Sequence, residues 1–284
     1  MPPELADIDV VRVRNRASRR ERDCVAVEAP LEIRLGGVPF AVVMRTPGAD
    51  RELAAGFLFA ERVLKTQDDL GTIAWCTDLR ATNPENVVNV TLTGVSADAL
   101  ESALASRRQV VTNASCGVCG RVSIESLMVD CARIEAPVRV PAEVVTAMPA
   151  ALRARQAVFT QTGGLHAAGL FAADGTLLDV AEDVGRHNAV DKVIGRLILR
   201  EALPASAVAL FVSGRTSFEI VQKAWLAGIS CVASVSAPSS LAVELAASAG
   251  MTLIGFVRDA GFNVYAGGET HVPEAGTAAG PSSR

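Results

Sequence analysis

Two strand-then-helix units near the end of the chain constrain its fold more than any other feature. The apolar runs Val208–Val212 and Cys231–Val235 are each followed by a serine-rich loop and a helical pattern, and Met251–Val257 is a further strand-like run. Strands that alternate with helices form a partly parallel sheet with helices packed on its faces. The pattern therefore predicts an α/β fold, which a hairpin at 165–181 and a helix at 188–200 extend toward the N-terminus.

The N-terminal third has a different pattern, typical of a small α+β unit. Two alternating runs, Leu31–Leu35 and Val38–Met44, flank Gly36-Gly37, which is a hairpin signal. Asp50 is placed to cap a helix that runs to about Leu64. The remaining predicted elements of this unit are a strand at 87–93 and a helix at 96–106.

These patterns divide the chain into five parts. Six arginines lie between Arg12 and Arg22, which is typical of a solvated arm, with a docking strip for an acidic partner as the alternative. The C-terminal tail is rich in Gly, Ala, Pro and Ser, a composition typical of disorder. The predicted parts are a polar, arginine-rich arm (1–24), a small α+β domain (25–110), a mobile loop with two cysteines and its connection (111–140), an α/β domain (141–266) and a disordered tail (267–284).

Composition disfavours several classes of function. The formal net charge is −4, the pI is about 5.5 and aromatic residues make up 4% of the chain. Nucleic-acid binders need a basic surface, and those that bind single strands also use aromatic stacking, so we expect no nucleic-acid partner. No apolar run is long enough to span a bilayer, and the N-terminus does not resemble a signal peptide. We therefore expect a cytoplasmic protein without membrane contact.

Cys116 and Cys119, separated by Gly117-Val118, form the sharpest chemical signal. Two thiols at this spacing serve metal binding, disulfide exchange or sulfur transfer. Structural zinc needs further ligands, but there is no second cysteine pair and the three histidines are isolated. A thioredoxin-like pair starts a helix after an early strand, whereas this pair lies in a glycine-flanked loop in mid-chain. The pattern favours a thiol that accepts and delivers sulfane sulfur, and it leaves redox exchange open.

Two histidine motifs place polar side chains beside predicted strands. His166 follows Gly163-Gly164, but position 168 is Ala where the His-x-Glu motif of a zinc deaminase needs its glutamate, so deaminase chemistry is disfavoured. The run Glu182–Lys192 brings acids, Arg186, His187, Asn and Lys to a strand-to-helix junction. We interpret both motifs as walls of a polar pocket, with a buried structural histidine as the alternative for His166.

Ser213-Gly214-Arg215-Thr216-Ser217 and Ser236-Ala237-Pro238-Ser239-Ser240 form a matched pair of loops, each between a strand and a helix. Hydroxyl and N–H groups at a helix N-terminus bind phosphate, and Arg215 adds a guanidinium group. Neither loop has the Gly-Lys-Ser/Thr element of a P-loop. Ligands bind at the carboxyl ends of the strands in such sheets, so two loops at one edge predict a site for a phosphate-bearing ligand.

Together these segments resemble the formate dehydrogenase accessory sulfurtransferase family (FdhD). The resemblance covers the C-terminal part of the chain, with its motifs in order. The matching stretches are Ser115–Gly120, Gly163–Ala168, Glu182–Lys192, Ser213–Glu219, Ser236–Glu244, and Gly250–Val257 with Asn263-Val264-Tyr265.

The resemblance implies a sulfur carrier. Such proteins take sulfur from a cysteine desulfurase as a persulfide and pass it to the bis-molybdopterin guanine dinucleotide molybdenum cofactor before that cofactor enters formate dehydrogenase. It implies that Cys116 carries the persulfide and that Cys119 assists. It also implies that the cofactor binds at Phe256-Val257-Arg258-Asp259-Ala260-Gly261, to which we add Ser213, Gly214, Arg215, Ser239, His166 and His187 as candidate binding residues.

The same resemblance carries expectations about fold and ligands. The family pairs a small α+β domain with a cytidine-deaminase-like three-layer α/β domain that lacks zinc, as a homodimer. Molybdenum stays within the cofactor rather than on protein ligands, and a GDP-like nucleotide can occupy the site. Two alternatives stay open at this point: a non-catalytic chaperone for the molybdenum cofactor, and a thiol–disulfide oxidoreductase.

We predict that the protein purifies without stoichiometric zinc. A zinc ion on Cys116 and Cys119 would suppress the nucleophilicity of the thiolates that sulfur transfer requires. Elemental analysis of protein purified without chelator measures this directly. About one zinc per chain, lost when Cys116 is replaced, would overturn the sulfur-carrier interpretation in favour of a metal site.

Overall fold

The computed structural model describes residues 3–77, 83–94 and 132–267. Its strands are β1 (Leu5–Arg14), β2 (Ala17–Ala26), β3 (Ala29–Leu35), β4 (Val38–Arg45), β5 (Leu70–Trp75), β6 (Val87–Leu92), β7 (His166–Ala172), β8 (Leu177–Asp183), β9 (Val208–Val212), β10 (Cys231–Ser234), β11 (Thr252–Arg258) and β12 (Gly261–Ala266). Its helices are α1 (Asp50–Ala60), α2 (Ala142–Arg153), α3 (Ala157–Thr162), α4 (Arg186–Leu199), α5 (Phe218–Leu226) and α6 (Ser240–Ala249).

A six-stranded sheet forms the centre of the C-terminal half, in the order β12-β11-β10-β9-β7-β8. Strands β9, β10 and β11 are parallel, while β7 runs antiparallel to β9 and β8 antiparallel to β7. Alternate side chains enter two separate cores. Phe171 and Phe211 pack with α2 on one face, while Leu170 and Leu210 pack on the other face in the core that holds α4, α5 and α6. The predicted α/β class, with its three layers, is confirmed.

The second large sheet has four strands in the order β4-β3-β6-β5. Helix α1 lies between this sheet and α4, and a single apolar cluster runs from Leu31 and Leu53 to Val190. The approach of α1 to α4 depends on Gly56 and Gly195. A Cβ at Gly56 would lie 1.9 Å from the Asp191 carbonyl oxygen, and one at Gly195 would lie 1.8 Å from the carbonyl oxygen of Glu52. Glycine at both positions lets the helices meet backbone to backbone, so the two sheets share one core.

Residues 5–26 form a two-stranded antiparallel sheet, a structure that the sequence pattern of the polar arm did not predict. Leu5 faces Ala26 at one end of β1 and β2, and Arg14 faces Ala17 at the other. Arg12 forms ion pairs with Glu21 and Asp23 on the opposite strand. Most side chains of this hairpin are exposed, including the alternating Val11 and Val13 of β1, and charged residues dominate both strands.

Other predicted elements agree with the structure in position, with two local differences in α1. The helix begins where expected but ends at Ala60 and not near Leu64, and its N-cap is Ala49, at φ 54° in the left-handed region, and not Asp50. The Asp50 carboxylate instead accepts hydrogen bonds from Nε and Nη2 of the buried Arg45, both at 3.0 Å. The predicted helix at 96–106 and the Cys116–Cys119 loop lie outside the described residues. In the part of the chain that is described, no helix is long and apolar enough to cross a membrane.

Gly195→Ala should destabilise the protein by about 3 kcal/mol or more, because its methyl group would overlap the backbone of α1 and force the two helices apart. Thermal or urea unfolding measures the loss. Gly164→Ala is the matched control, since the nearest atom to a Cβ there is 3.8 Å away. Equal stability of the two variants would show that the close contact between α1 and α4 contributes nothing to the free energy of unfolding.

Candidate functional site

One edge of the six-stranded sheet collects most of the predicted site residues. The carboxyl ends of β9, β10 and β11 share this edge because the three strands are parallel. Strand β7 runs the other way, so its first residue, His166, lies at the same edge, opposite Asp183 at the end of β8. Helix α4 starts there at Arg186, which places His187 in its first turn. The topology therefore places both histidine motifs beside the two serine loops, at the same edge of the sheet.

The two serine loops contact each other as predicted for neighbouring parallel strands. Thr216 N donates to the Ala237 carbonyl at 3.3 Å, and Ser239 N donates to the Thr216 carbonyl at 3.0 Å. The hydroxyl of Ser239 accepts from Ala242 N at 3.3 Å and caps α6. Helices α5 and α6 both begin at this edge, so their N-terminal N–H groups make it a favourable place for an anion.

Ser213, Gly214 and Arg215 have different local roles in the first loop. The Ser213 hydroxyl accepts from Ala167 N at 2.8 Å, which ties β9 to β7. Gly214 is buried beside His166, where a Cβ would lie 3.3 Å from Nδ1 of that ring. Arg215 is exposed, and no hydrogen bond or ion pair joins its guanidinium to another described residue. Of these three residues, Arg215 is thus the one whose side chain is available to a ligand.

His187 is held by one nitrogen against α5. Its Nε2 lies 2.9 Å from Glu219 Oε2 and 3.0 Å from the Ser217 hydroxyl. The carboxylate accepts the Nε2 proton, so Nδ1 of a neutral ring is left as an acceptor. Because Ser217 and Glu219 meet the same nitrogen, this trio lacks the relay of a serine–histidine–acid triad, in which the two partners bind opposite nitrogens.

Burial and nearby charges shift the pKa values of Glu219 and His166 at this edge. Burial opposes ionisation of Glu219, but the hydrogen bond and charge of His187, with Lys223 and Arg186, outweigh burial and hold the Glu219 pKa below its ordinary value. Burial, and then the charges of Arg186 and His187, lower the pKa of His166 against the opposing effect of Asp183. His166 is consequently a neutral ring beside fixed positive charge at neutral pH.

Several residues of the Glu182–Lys192 motif have structural roles. Glu182 accepts from Val158 N at 3.0 Å and Phe159 N at 2.8 Å, at the start of α3. Asp183 is fully buried and pairs with Lys192 at 2.7 Å. Other residues of the run line cavities: Glu182 and Lys192 border one of about 200 Å³, and the stretch 184–188 borders a second. The run thus combines structural pairs with cavity-lining residues.

Two cavities open at the edge, and His166 lines both. The larger, about 470 Å³, has mainly apolar walls that include Leu152, Phe159 and Phe211, with Gln156 and Ser213 among its polar groups. The smaller, about 140 Å³, is lined by Glu28, Met44, Val184, His166 and the first turn of α4.

Two buried polar atoms at this edge have no hydrogen-bond partner among the described residues. They are Arg186 Nε, on the wall of the smaller cavity, and Thr216 Oγ1, in the first serine loop. Buried donors are rarely left unpaired, so these atoms fit a site that expects a ligand. Arg186 belongs to a motif that the sequence singles out, whereas no sequence signal indicates Glu28.

The stretch Phe256–Gly261 lies at the same edge, across the turn between β11 and β12. Phe256 is 42% exposed and has φ 54°, an unusual conformation for a bulky residue, and its N–H donates to the Ser236 carbonyl at 3.2 Å. Arg258 donates to the Val235 carbonyl at 2.5 Å, so its side chain ties the ends of β11 and β10 together. Asp259 and Ala260 are exposed. Phe256, Asp259 and Ala260 are thus accessible to a ligand, whereas Val257 is buried in the sheet.

The two thiols of the predicted sulfur chemistry, Cys116 and Cys119, lie outside the described residues. Within the described ranges, no group of three or more His, Cys, Asp or Glu side chains is placed to hold a metal. Cys231 is fully buried, and burial raises the pKa of its thiol to about 12, so it is inert at neutral pH.

Comparisons with known proteins agree on one family. The model of the FdhD/NarQ family matches residues 26–272. The chain is 50% identical over 266 residues to the sulfur carrier protein FdhD of Streptomyces coelicolor, covering 92% of this chain and 93% of that protein. It is 51% identical over 255 residues to the protein of the same name from Anaeromyxobacter dehalogenans strain 2CP-C, covering 87% and 88%.

A solved structure has the same fold. The crystal structure of a formate dehydrogenase accessory protein from Desulfotalea psychrophila superimposes with a TM-score of 0.73 at 25% sequence identity. The match covers 95% of this chain and all of that one.

Glu219→Gln should lower stability at neutral pH and have little effect in acid. The folded-state pKa of Glu219 lies below the ordinary value of 4.5, so its charge stabilises the fold above that value. This contribution is lost as the pH falls through the folded-state pKa, because the unfolded chain binds the proton first. Urea unfolding at about pH 7 and about pH 3 measures the difference. The exposed Glu143→Gln is the control, and a stability gap that is equal at both pH values would contradict the charge-based explanation.

Proposed function

The chain belongs to the FdhD/NarQ family, and we propose that it is a sulfurtransferase of formate dehydrogenase maturation that carries sulfur as a cysteine persulfide. Its substrate is the bis-molybdopterin guanine dinucleotide molybdenum cofactor, and its sulfur donor is a cysteine desulfurase. The single observation that carries this proposal is the convergence of the serine loops, both histidine motifs and Phe256–Gly261 at one sheet edge.

The loading step uses Cys116. Its thiolate attacks the outer sulfur of a persulfide on the desulfurase, a new S–S bond forms on Cys116, and the desulfurase cysteine leaves as a thiolate. Cys119 assists as the second thiol of the loop. The outer sulfur then passes to the molybdenum cofactor, which is the cargo and not a resident group: the S–S bond of the persulfide breaks and Cys116 is left as a thiolate.

The sheet edge is the proposed binding site of that cofactor. Its phosphates need positive groups and hydrogen-bond donors, and the edge offers Arg215, the orphaned Arg186 Nε and the N-termini of α5 and α6. We place the guanine dinucleotide across Ser213, Gly214, Arg215 and Ser239, with His166, His187 and Phe256–Gly261 beside it. A GDP-like nucleotide fits the same groups. We further propose that the protein acts in the cytoplasm as a homodimer and meets formate dehydrogenase to hand over the cofactor.

Cys116→Ala should abolish formate dehydrogenase maturation while the protein remains folded, because the sequence predicts a loop at this position and loop thiols contribute little packing. Mass spectrometry after incubation with a cysteine desulfurase and cysteine should find about one additional sulfur on wild-type Cys116 and none on the variant. Formate dehydrogenase activity in a strain that carries only the variant is the second readout.

Cys24→Ala is the matched control, since Cys24 is a partly buried thiol in β2, and it should retain both sulfur loading and maturation. Normal formate dehydrogenase activity with Cys116→Ala would overturn the persulfide role. Lost maturation without any sulfur on wild-type Cys116 would favour the redox or chaperone alternatives instead.

A further inference from the structure

Two opposite charges line the smaller cavity at the sheet edge, Arg186 and the exposed Glu28. The two side chains form no ion pair with each other, and no hydrogen bond or salt bridge joins the charged group of either to another described residue, although the charge of Arg186 also acts on Glu219. Arg186 Nε is moreover buried without a partner. A carboxylate and a guanidinium that face one cavity separately suit a ligand with donors on one side and acceptors on another.

The size of the cavity limits that ligand to one ring system. Its volume of about 140 Å³ is well below the roughly 300–1,000 Å³ of pockets that enclose a whole drug-sized ligand. The larger cavity of about 470 Å³ is adjacent, because His166 lines both. A base can therefore occupy the smaller cavity while the rest of a nucleotide lies outside it, toward the serine loops.

Guanine has the required arrangement of polar groups. Its N1–H and N2 amino groups are neighbouring donors, and O6 and N7 are acceptors to which arginine donates in a bidentate manner. Adenine has an acceptor at N1, which a carboxylate would repel. Hypoxanthine keeps N1–H and O6 but lacks the N2 amino group.

We propose that this cavity binds a guanine base and that Glu28 is its specificity-determining residue. The Glu28 carboxylate accepts from N1–H and the N2 amino group, and Arg186 donates to the acceptor edge. This inference rests on the proposed function, because it identifies which part of the cofactor enters which part of the site.

Calorimetric titration of the full chain with GDP, IDP and ADP tests the assignment. Wild type should bind GDP most tightly, IDP less tightly and ADP at least about tenfold more weakly than GDP, since a bidentate base contact provides discrimination of this size. Glu28→Gln should weaken GDP binding about tenfold and reduce the preference over ADP. Glu85→Gln removes the same charge from an exposed position in the four-stranded-sheet region and should bind like wild type.

The outcomes separate this inference from the function it rests on. Equal wild-type affinity for GDP and ADP, or unchanged GDP binding by Glu28→Gln, would overturn the guanine assignment and leave the nucleotide site in place. No binding of any of the three nucleotides at millimolar concentration would overturn the nucleotide site itself, and the guanine assignment with it. The wild-type ranking decides the matter even where Glu28→Gln does not fold.

Discussion

The fold depends on one buried carboxylate, Asp183, at the end of β8. It accepts hydrogen bonds from Gly185 N and Asn188 Nδ2, both at 2.8 Å, and from Thr46 N at 3.2 Å, and it pairs with Lys192 Nζ at 2.7 Å. Lys192 in turn donates to the Thr46 carbonyl at 2.9 Å. A buried charge without partners costs several kcal/mol, so β8, the start of α4 and the loop after β4 adopt the one arrangement that satisfies it. The contribution of this network is therefore specificity of structure more than net stability.

The hydrogen bonds of Asp183 also determine the geometry of the candidate site. Arg186 and His187 lie in the first turn of α4, between Asp183 and Lys192, so the orientation of the helix start determines where they point. Two contacts then tie α4 to α5: His187 with Glu219 at 2.9 Å, and Asp191 with Lys223 Nζ, which lies 2.5 Å from both carboxylate oxygens. One wall of the smaller cavity, the first turn of α4, is held by this network, while Glu28 reaches the cavity from the connection between β2 and β3.

The sequence predicted the parts of this site that local pattern encodes. Strand–loop–helix repeats placed the serine loops at one edge, because parallel strands end together. Glu28 and Glu219 were not predicted, because their roles arise from chain segments brought together only in the folded protein. Asp50 illustrates the same limit of prediction from sequence. Its residue type favours a helix cap, but its carboxylate accepts hydrogen bonds from Arg45 once β4 and α1 pack together. The hairpin β1–β2 was not predicted because charged residues dominate both strands, and the short apolar alternation in β1 is exposed and not part of the core.

Electrostatics at the edge separate the roles of its charged groups. Burial, and then the charges of Arg186 and His187, lower the pKa of His166, which favours its neutral ring as a hydrogen-bonding group at neutral pH. Arg186 and Arg215 remain protonated throughout the physiological range. Together with the N-termini of α5 and α6, these guanidinium groups give the edge positive charge in a chain whose overall charge is −4. This concentration of positive groups is the electrostatic basis of our proposal that a phosphate-bearing cofactor binds here.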